Sequence, residues 1–475
     1  MLNSKLIGIL RHFDKYEQNK CKKFVESPYF NRNEELIKLY NFLITMINKD
    51  RLEEVKKEEI WKEVVPGKEY DDTRFRKYTS DLSKLVESFL AQQCFDDDKI
   101  GKSIYLMESI DKKKIDKLYN SSIRVAKKLS ESYPHRSSEH YYHKYEIEKN
   151  YYKLTDYDIK RSKVSNVEEI AANLDKFYIS EKLKYYCSVL SSQSTVAHKY
   201  EIRFIDEIIE HLQENDYEDT PPIAIYLQIY LALKDFDNEE HYFKLKSLLE
   251  HYGLLFPLNE ASNIYKYALN YCTRKINRGN QKFLHEYFDL YVETLNKEII
   301  FDKGEISPWH FKNIVTTALR LGKFEWTEKF IFKYKDRIPE ELRNNAITFN
   351  LAQLYFYQKK YNKVIEQLQF VEYDDLSYNI NSKTMLIATY YELDEIEPLY
   401  SLLESFRVYL NRHKDIAEQI RNLCLNLIKF TKKLVKVLPG DQESIQKLKN
   451  EVEATKNIAS IRWLREKIAE LEGNY

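Results

Sequence analysis

Apolar residues recur every three or four positions along almost the whole chain, a period that predicts helices rather than strands. Phe75, Tyr78, Leu82, Leu85, Val86, Phe89 and Leu90 fall on one helical face, and Asp72 is placed to cap the start of that helix. Asn33 before Glu34 and Glu35 predicts another cap with an acidic first turn. The stretches Ser27 to Asn31 and Pro66-Gly67 interrupt the pattern, and the run Asp96-Asp97-Asp98 closes a helical module over residues 1–100. Beyond it, Ile115, Leu118, Tyr119, Ser122, Ile123, Ala126 and Leu129 share a face, and Pro134 ends that helix.

Helical hairpins are expected over 101–218. Among them, Leu174, Phe177, Tyr178, Glu181, Leu183, Tyr185 and Tyr186 read as an aromatic-rich core stripe. Pro221-Pro222 opens a repeat region over 219–412, with turns at Asp235 to Asn238 and around Asn277 to Asn280. The period is clearest over 308–412, where Phe324, Tyr361 and Ile396 each start the second helix of a pair. Residues 413–475 read as capping helices. Ile416, Ile420, Leu423, Leu427, Thr431, Leu434 and Leu438 mark one long helix stopped by Pro439-Gly440. Asp441 then caps a last helix that carries Ile445, Leu448, Val452, Trp463, Leu464, Ile468 and Leu471 and seals the end of the stack.

The residues of 308–412 resemble the tetratricopeptide repeat, a helix pair of about 34 residues with a small side chain where its helices cross. Ile314, Ala318, Leu321-Gly322-Lys323-Phe324 and Thr327 fit the first unit, which Pro339 closes. Leu351, Ala352, Tyr355, Tyr361, Val364 and Leu368 fit the second, with Lys359 in place of the turn glycine. Leu386, Tyr390, Ile396, Leu399 and Leu403 keep the bulk of a third, where Ile387 and Leu399 stand at positions the family fills with small residues. The resemblance implies an all-α, right-handed superhelical solenoid of helix pairs. The whole chain also resembles a group of uncharacterised bacterial helical-repeat proteins, which implies no activity.

Composition agrees with long helices: nine glycines and ten prolines among 475 residues leave little punctuation for a sheet protein. Far-ultraviolet circular dichroism is expected to show on the order of 70% helix, against a globular average of about a third. Lys plus Arg equals Asp plus Glu at 75 each, so no net field favours nucleic acid or an anionic membrane. Cys21, Cys94, Cys187, Cys272 and Cys424 stand singly, which argues against a disulfide framework or a thiolate metal site and suits a reducing compartment. The first 17 residues hold only the short apolar run Leu6 to Leu10, and no stretch reaches the roughly 18 apolar residues of a spanning helix. A cytoplasmic location is expected, without membrane contact.

Candidate chemistry is sparse. His140 and His143 lie one turn apart with His135 upstream, yet only Glu139 offers a further local ligand, so they read as surface histidines rather than a metal site. No glycine-rich phosphate cradle or nucleophile elbow is present, and no catalytic, cofactor-binding or metal-binding residue is nominated. Lys429, Lys432, Lys433 and Lys436 form a basic stripe in a segment that lacks acids between Glu418 and Asp441, which keeps nucleic-acid binding as an alternative. An enzyme whose site is assembled from distant helices is a second alternative.

The leading expectation is a non-enzymatic scaffold that holds a protein or peptide on a concave helical surface. The positions the family uses for peptides fall on Lys312, Thr316 and Arg320, then Phe349, Gln353 and Tyr357, then Thr384, Ala388 and Tyr391. Since other residues already supply the apolar stripe of those helices, Phe349, Tyr357 and Tyr391 read as surplus bulk on the opposite side. Cations beside them suit an acidic or carboxylate-ended segment. The alternative is that these aromatics pack against the neighbouring repeat.

Overall fold

The computed structural model describes residues 4–155, 165–192, 200–368 and 376–473. Among them it contains 23 α-helices and no strand, with helix making up 78% of the described residues and a single isolated bridge joining Asp302 and Glu305. Two compact units emerge: Met1–Lys182 with Ile205–Glu214, and Leu183–Phe204 with Asn215–Tyr475.

The first unit begins with α1 (Lys5–Arg11), α2 (Lys15–Glu26), α3 (Glu34–Asn48), α4 (Lys57–Val64) and α5 (Asp72–Asp97). These five share one core, in which Leu39, Leu43, Ile60, Trp61, Leu82 and Val86 are buried. Each large apolar side chain so buried contributes about 1.5–3 kcal/mol. Asn33 caps α3 through Glu35 N at 3.0 Å, as its position predicts. The cap of α5 is Asp71 rather than Asp72: Asp71 Oδ1 accepts from Arg74 N, while Asp72 pairs with Lys57 and Arg76. Asp98 ends α5 and caps the next helix through Gly101 N at 2.7 Å.

Next come α6 (Lys99–Lys113), α7 (Tyr119–Glu131), α8 (Ser138–Leu154), α9 (Val167–Ser192) and α10 (Ile205–Glu214). On α9 the expected aromatic stripe is not the core face. Tyr185 is 62% exposed and Leu174 and Tyr178 are open to solvent; of the stripe Leu183 alone is buried, beside Asn173, Ile179, Ser180 and Cys187. The buried face repeats at helical spacing, but two of its members, Asn173 and Ser180, are polar, so apolarity alone places the phase wrongly. The histidines also differ from expectation: His140 and His143 are buried in α8, and burial holds His140 down to about 3, with Arg136, Lys144 and His143 adding to the effect.

The second unit continues as helix pairs: α11 (Pro221–Lys234) with α12 (Glu240–Tyr252), α13 (Leu258–Asn277) with α14 (Lys282–Asn296), α15 (Pro308–Arg320) with α16 (Phe324–Tyr334), α17 (Glu340–Tyr357) with α18 (Tyr361–Leu368), and α19 (Leu376–Glu392) with α20 (Ile396–Arg412). Each helix packs on the next in sequence, and the first helices α15, α17 and α19 also pack side by side. Phe324, Tyr361 and Ile396 are each the first residue of a second helix, as the period predicts. Where paired helices cross, Ala318 and Ala352 are fully buried on first helices and Thr327, Val364 and Leu399 on second helices.

The unit ends with α21 (Glu418–Leu434), α22 (Gln442–Ala454) and α23 (Ile461–Leu471). The expected long helix is shorter: α21 stops at Leu434, and Leu438 is exposed beyond it. The expected single last helix is two. Between them Asn457 and Ser460 take positive φ values of 66° and 51°, Ala459 N donates to Leu423 O and Asn426 Nδ2 to Asn457 O. Hydrogen bonds to α21 thus hold a break that carries neither glycine nor proline.

Candidate partner-binding face

The nominated positions of α15 and α17 lie 37 residues apart in sequence and meet in pairs across the two helices. Lys312 Nζ sits 5.7 Å from the centroid of the Phe349 ring. Thr316 Oγ1 donates to Gln353 Oε1 at 3.2 Å. Arg320 and Tyr357 lie within electrostatic range of one another. Successive turns of α15 therefore set three rungs against successive turns of α17, because residues four apart share a helix face.

Each rung has a different character. Phe349 is not the free bulk expected from the sequence: it is buried, its ring edge-on to Tyr378 of α19 with centroids 5.3 Å apart. Thr316 and Gln353 are both partly buried, a polar middle rung. Tyr357 remains 40% exposed, although burial still raises its hydroxyl pKa.

Arg320 is partly buried. Its Nη2 donates to Gln281 Oε1 at 3.3 Å, while its Nε is shut off from solvent and makes no hydrogen bond. Burial lowers its pKa, as does Arg462 of α23.

The third set is occupied differently. Thr384 Oγ1 donates back to Ile380 O, Ala388 is buried, and Tyr391 packs edge-on against Trp463 with centroids 5.4 Å apart. Trp463 Nε1 in turn donates to Glu392 Oε1, which also binds the buried Lys467. For Phe349 and Tyr391 the structure thus chooses packing against neighbouring helices. Gln281, Tyr378 and Arg462 complete the face and were not nominated, since no local spacing links them to α15 or α17.

Two other polar clusters are internally satisfied. Glu286 binds Lys246 at 2.7 Å and accepts from Tyr242, and Glu293 binds Lys297 at 2.6 Å and accepts from Tyr265. The open cleft of about 520 Å³ beside them is lined by Lys246, Glu250, Asp289, Glu293 and Lys297. Of the expected basic stripe, Lys429, Lys432 and Lys433 lie on α21 and Lys436 lies beyond its end; Lys432 pairs with Glu404 and Lys433 with Glu451, acids from other helices, leaving Lys429 and Lys436 exposed. Among the described residues no group of His, Cys, Asp and Glu could hold a metal ion, and no helix is long and apolar enough to cross a membrane. Comparison with protein-family models, curated proteins and solved structures gave no match.

Proposed function

We propose that the second unit is a tetratricopeptide-like scaffold that binds an extended segment of a partner protein along the first helices α15 and α17, without catalysing a reaction. The observation that carries this reading is the accessible third rung. Tyr357 is 40% exposed there, and the partly buried Arg320 donates to the neutral amide oxygen of Gln281 while its Nε makes no hydrogen bond. The polar rung Thr316–Gln353 and the cation of Lys312 extend the same face by two helical turns. The five free cysteines suit a reducing, cytoplasmic setting.

The acids set against Lys432 and Lys433 make the α21 stripe a weaker candidate for nucleic acid. The test combines Gln353→Ala with Tyr357→Ala and compares proteins captured from the native host with the melting temperature of the variant. Loss of a specific captured protein at unchanged melting is the expected result. Identical capture by variant and wild type contradicts the reading.

A further inference from the structure

The interruption between α2 and α3 is a hydrogen-bonded turn that holds two aromatic side chains in water. Phe30 N and Asn31 N donate to Ser27 O at 3.0 and 2.9 Å. Asn31 Nδ2 donates to Val25 O and Asn33 O, and Asn31 Oδ1 accepts from Asn33 N. Such side-chain bonds to the backbone order a turn without a helix or strand. On it Tyr29 is 89% exposed and Phe30 44%. The Phe30 ring stacks on Phe24 of α2 with centroids 4.0 Å apart, Phe24 meets Phe89 of α5 at 5.7 Å, and Tyr29 stands edge-on to Phe30 at 5.0 Å. Phe24, Phe30 and Phe89 line an open groove of about 430 Å³, walled by Lys20 and Lys23 of α2 and by Asp96 and Asp97 of α5.

We propose that this groove docks an amphipathic helix of a partner protein, which sets an aromatic or large aliphatic side chain among the three phenylalanines and carries acids along its edge facing α2. The site lies in the first unit and is independent of the face on α15 and α17. A cleft between two packed helices accepts the apolar stripe of a third. An aromatic pair ordered before binding suits an anchor point, because less ordering is left to be done in the complex. Charge selects the acids. Lys20 and Lys23 sit one helical turn apart, both exposed, and neither forms an ion pair among the described residues; Lys20 lies over the Tyr16 ring at 4.7 Å. Opposite them, Asp96 is already paired with Lys102 of α6, and Asp97 is exposed. The unspent charge of the groove is two cations against one acid, which favours a segment that is acidic beside α2.

Cys94 gives a local readout, since it is exposed beside the groove residue Gln93 whereas Cys21, Cys187, Cys272 and Cys424 are buried. Displayed random peptides of about four helical turns are selected on the full chain and depleted on a Tyr29→Ala and Phe30→Ala double variant. Enriched peptides are then titrated against the chain labelled at Cys94 with an environment-sensitive dye. They are expected to combine acids with an apolar anchor at helical spacing and to change the dye signal. Lys20→Glu with Lys23→Glu is expected to weaken them about tenfold at unchanged melting, because both lysines are exposed. Tyr29→Ala alone, at so open a position, should also weaken binding without lowering the melting temperature. No enriched peptide, enrichment of basic or uncharged ones, a silent dye, or affinity that survives the charge reversal overturns the site. A dimer of the chain in sedimentation that Tyr29→Ala dissociates would make a second copy the occupant, and overturns it as well.

Discussion

At the scale of single residues, Arg320 and His140 show how a buried ionisable group sets stability. An arginine held partly out of water without an acid destabilises the fold, and replacing a buried charge by an apolar side chain of similar volume is often stabilising. Arg320→Met is therefore expected to raise stability by about 1 kcal/mol, measured by urea unfolding. A clear loss of stability would mean that the contact with Gln281 outweighs the desolvation. His140 acts through protons. Its folded pKa of about 3 lies below the ordinary 6.5, so between those values the unfolded chain binds the extra proton. Stability is expected to fall as pH drops below 6.5, with a contribution from His140 approaching about 1.4 kcal/mol per pH unit. His310, lowered to about 4 by burial and by Lys266, adds in the same direction. His140→Phe should flatten the slope of unfolding free energy against pH between 6 and 4.5, and an unchanged slope would contradict this assignment.

At the scale of elements, the turn between paired helices recurs with one geometry. Gly279, Gly322, Lys359 and Asp394 all take positive φ, at 96°, 72°, 58° and 57°. The next residue donates its N–H to the carbonyl five positions back: Asn280 to Lys275, Lys323 to Ala318, Lys360 to Tyr355 and Glu395 to Tyr390. This is the Schellman ending, in which a left-handed residue satisfies the last carbonyls of a helix. Glycine adopts it freely, and other residues do so at a cost of roughly 1 kcal/mol. A Cβ at position 322 would meet nothing within 4 Å, so the penalty there is backbone alone. Gly322→Ala is expected to destabilise by about 1 kcal/mol, and Lys359→Gly and Asp394→Gly each to stabilise by a similar or smaller amount. Chemical unfolding checks the signs. The period of 37 and 35 residues was legible because bulky helix starts repeat at it, whereas the left-handed lysine and aspartate carry no local signal. The break between α22 and α23 was illegible for the same reason: its stop is a set of hydrogen bonds to α21, while apolar spacing runs on across it.

At the scale of the whole molecule, helix content and the order of pairs in the second unit were readable from period and punctuation. The candidate face was readable only in part. Lys312, Thr316, Arg320, Phe349, Gln353 and Tyr357 could be placed because one offset relates two adjacent helices. Arg462, Gln281 and Tyr378 could not, because packing brings them in from segments up to 142 residues away (462 − 320). The final helices have a structural role that follows from their burial: Ile445, Leu448, Trp463, Leu464 and Ile468 belong to one core with Leu403, Phe406 and Phe430. A chain ending at Leu438 would expose that core, and it is expected to aggregate or to melt well below the full protein, as arrays without their terminal helices do. Equal melting of the two chains would show that α22 and α23 are dispensable. The central claim, that the first-helix face takes a partner segment, is tested most directly by site-specific photo-crosslinking in the native host. A photoreactive residue at Gln353 on that face is compared with one at Lys329, exposed on the second helix α16. The account predicts a discrete crosslinked protein from position 353 that position 329 does not yield. The same product from both positions, or none from position 353, would contradict it.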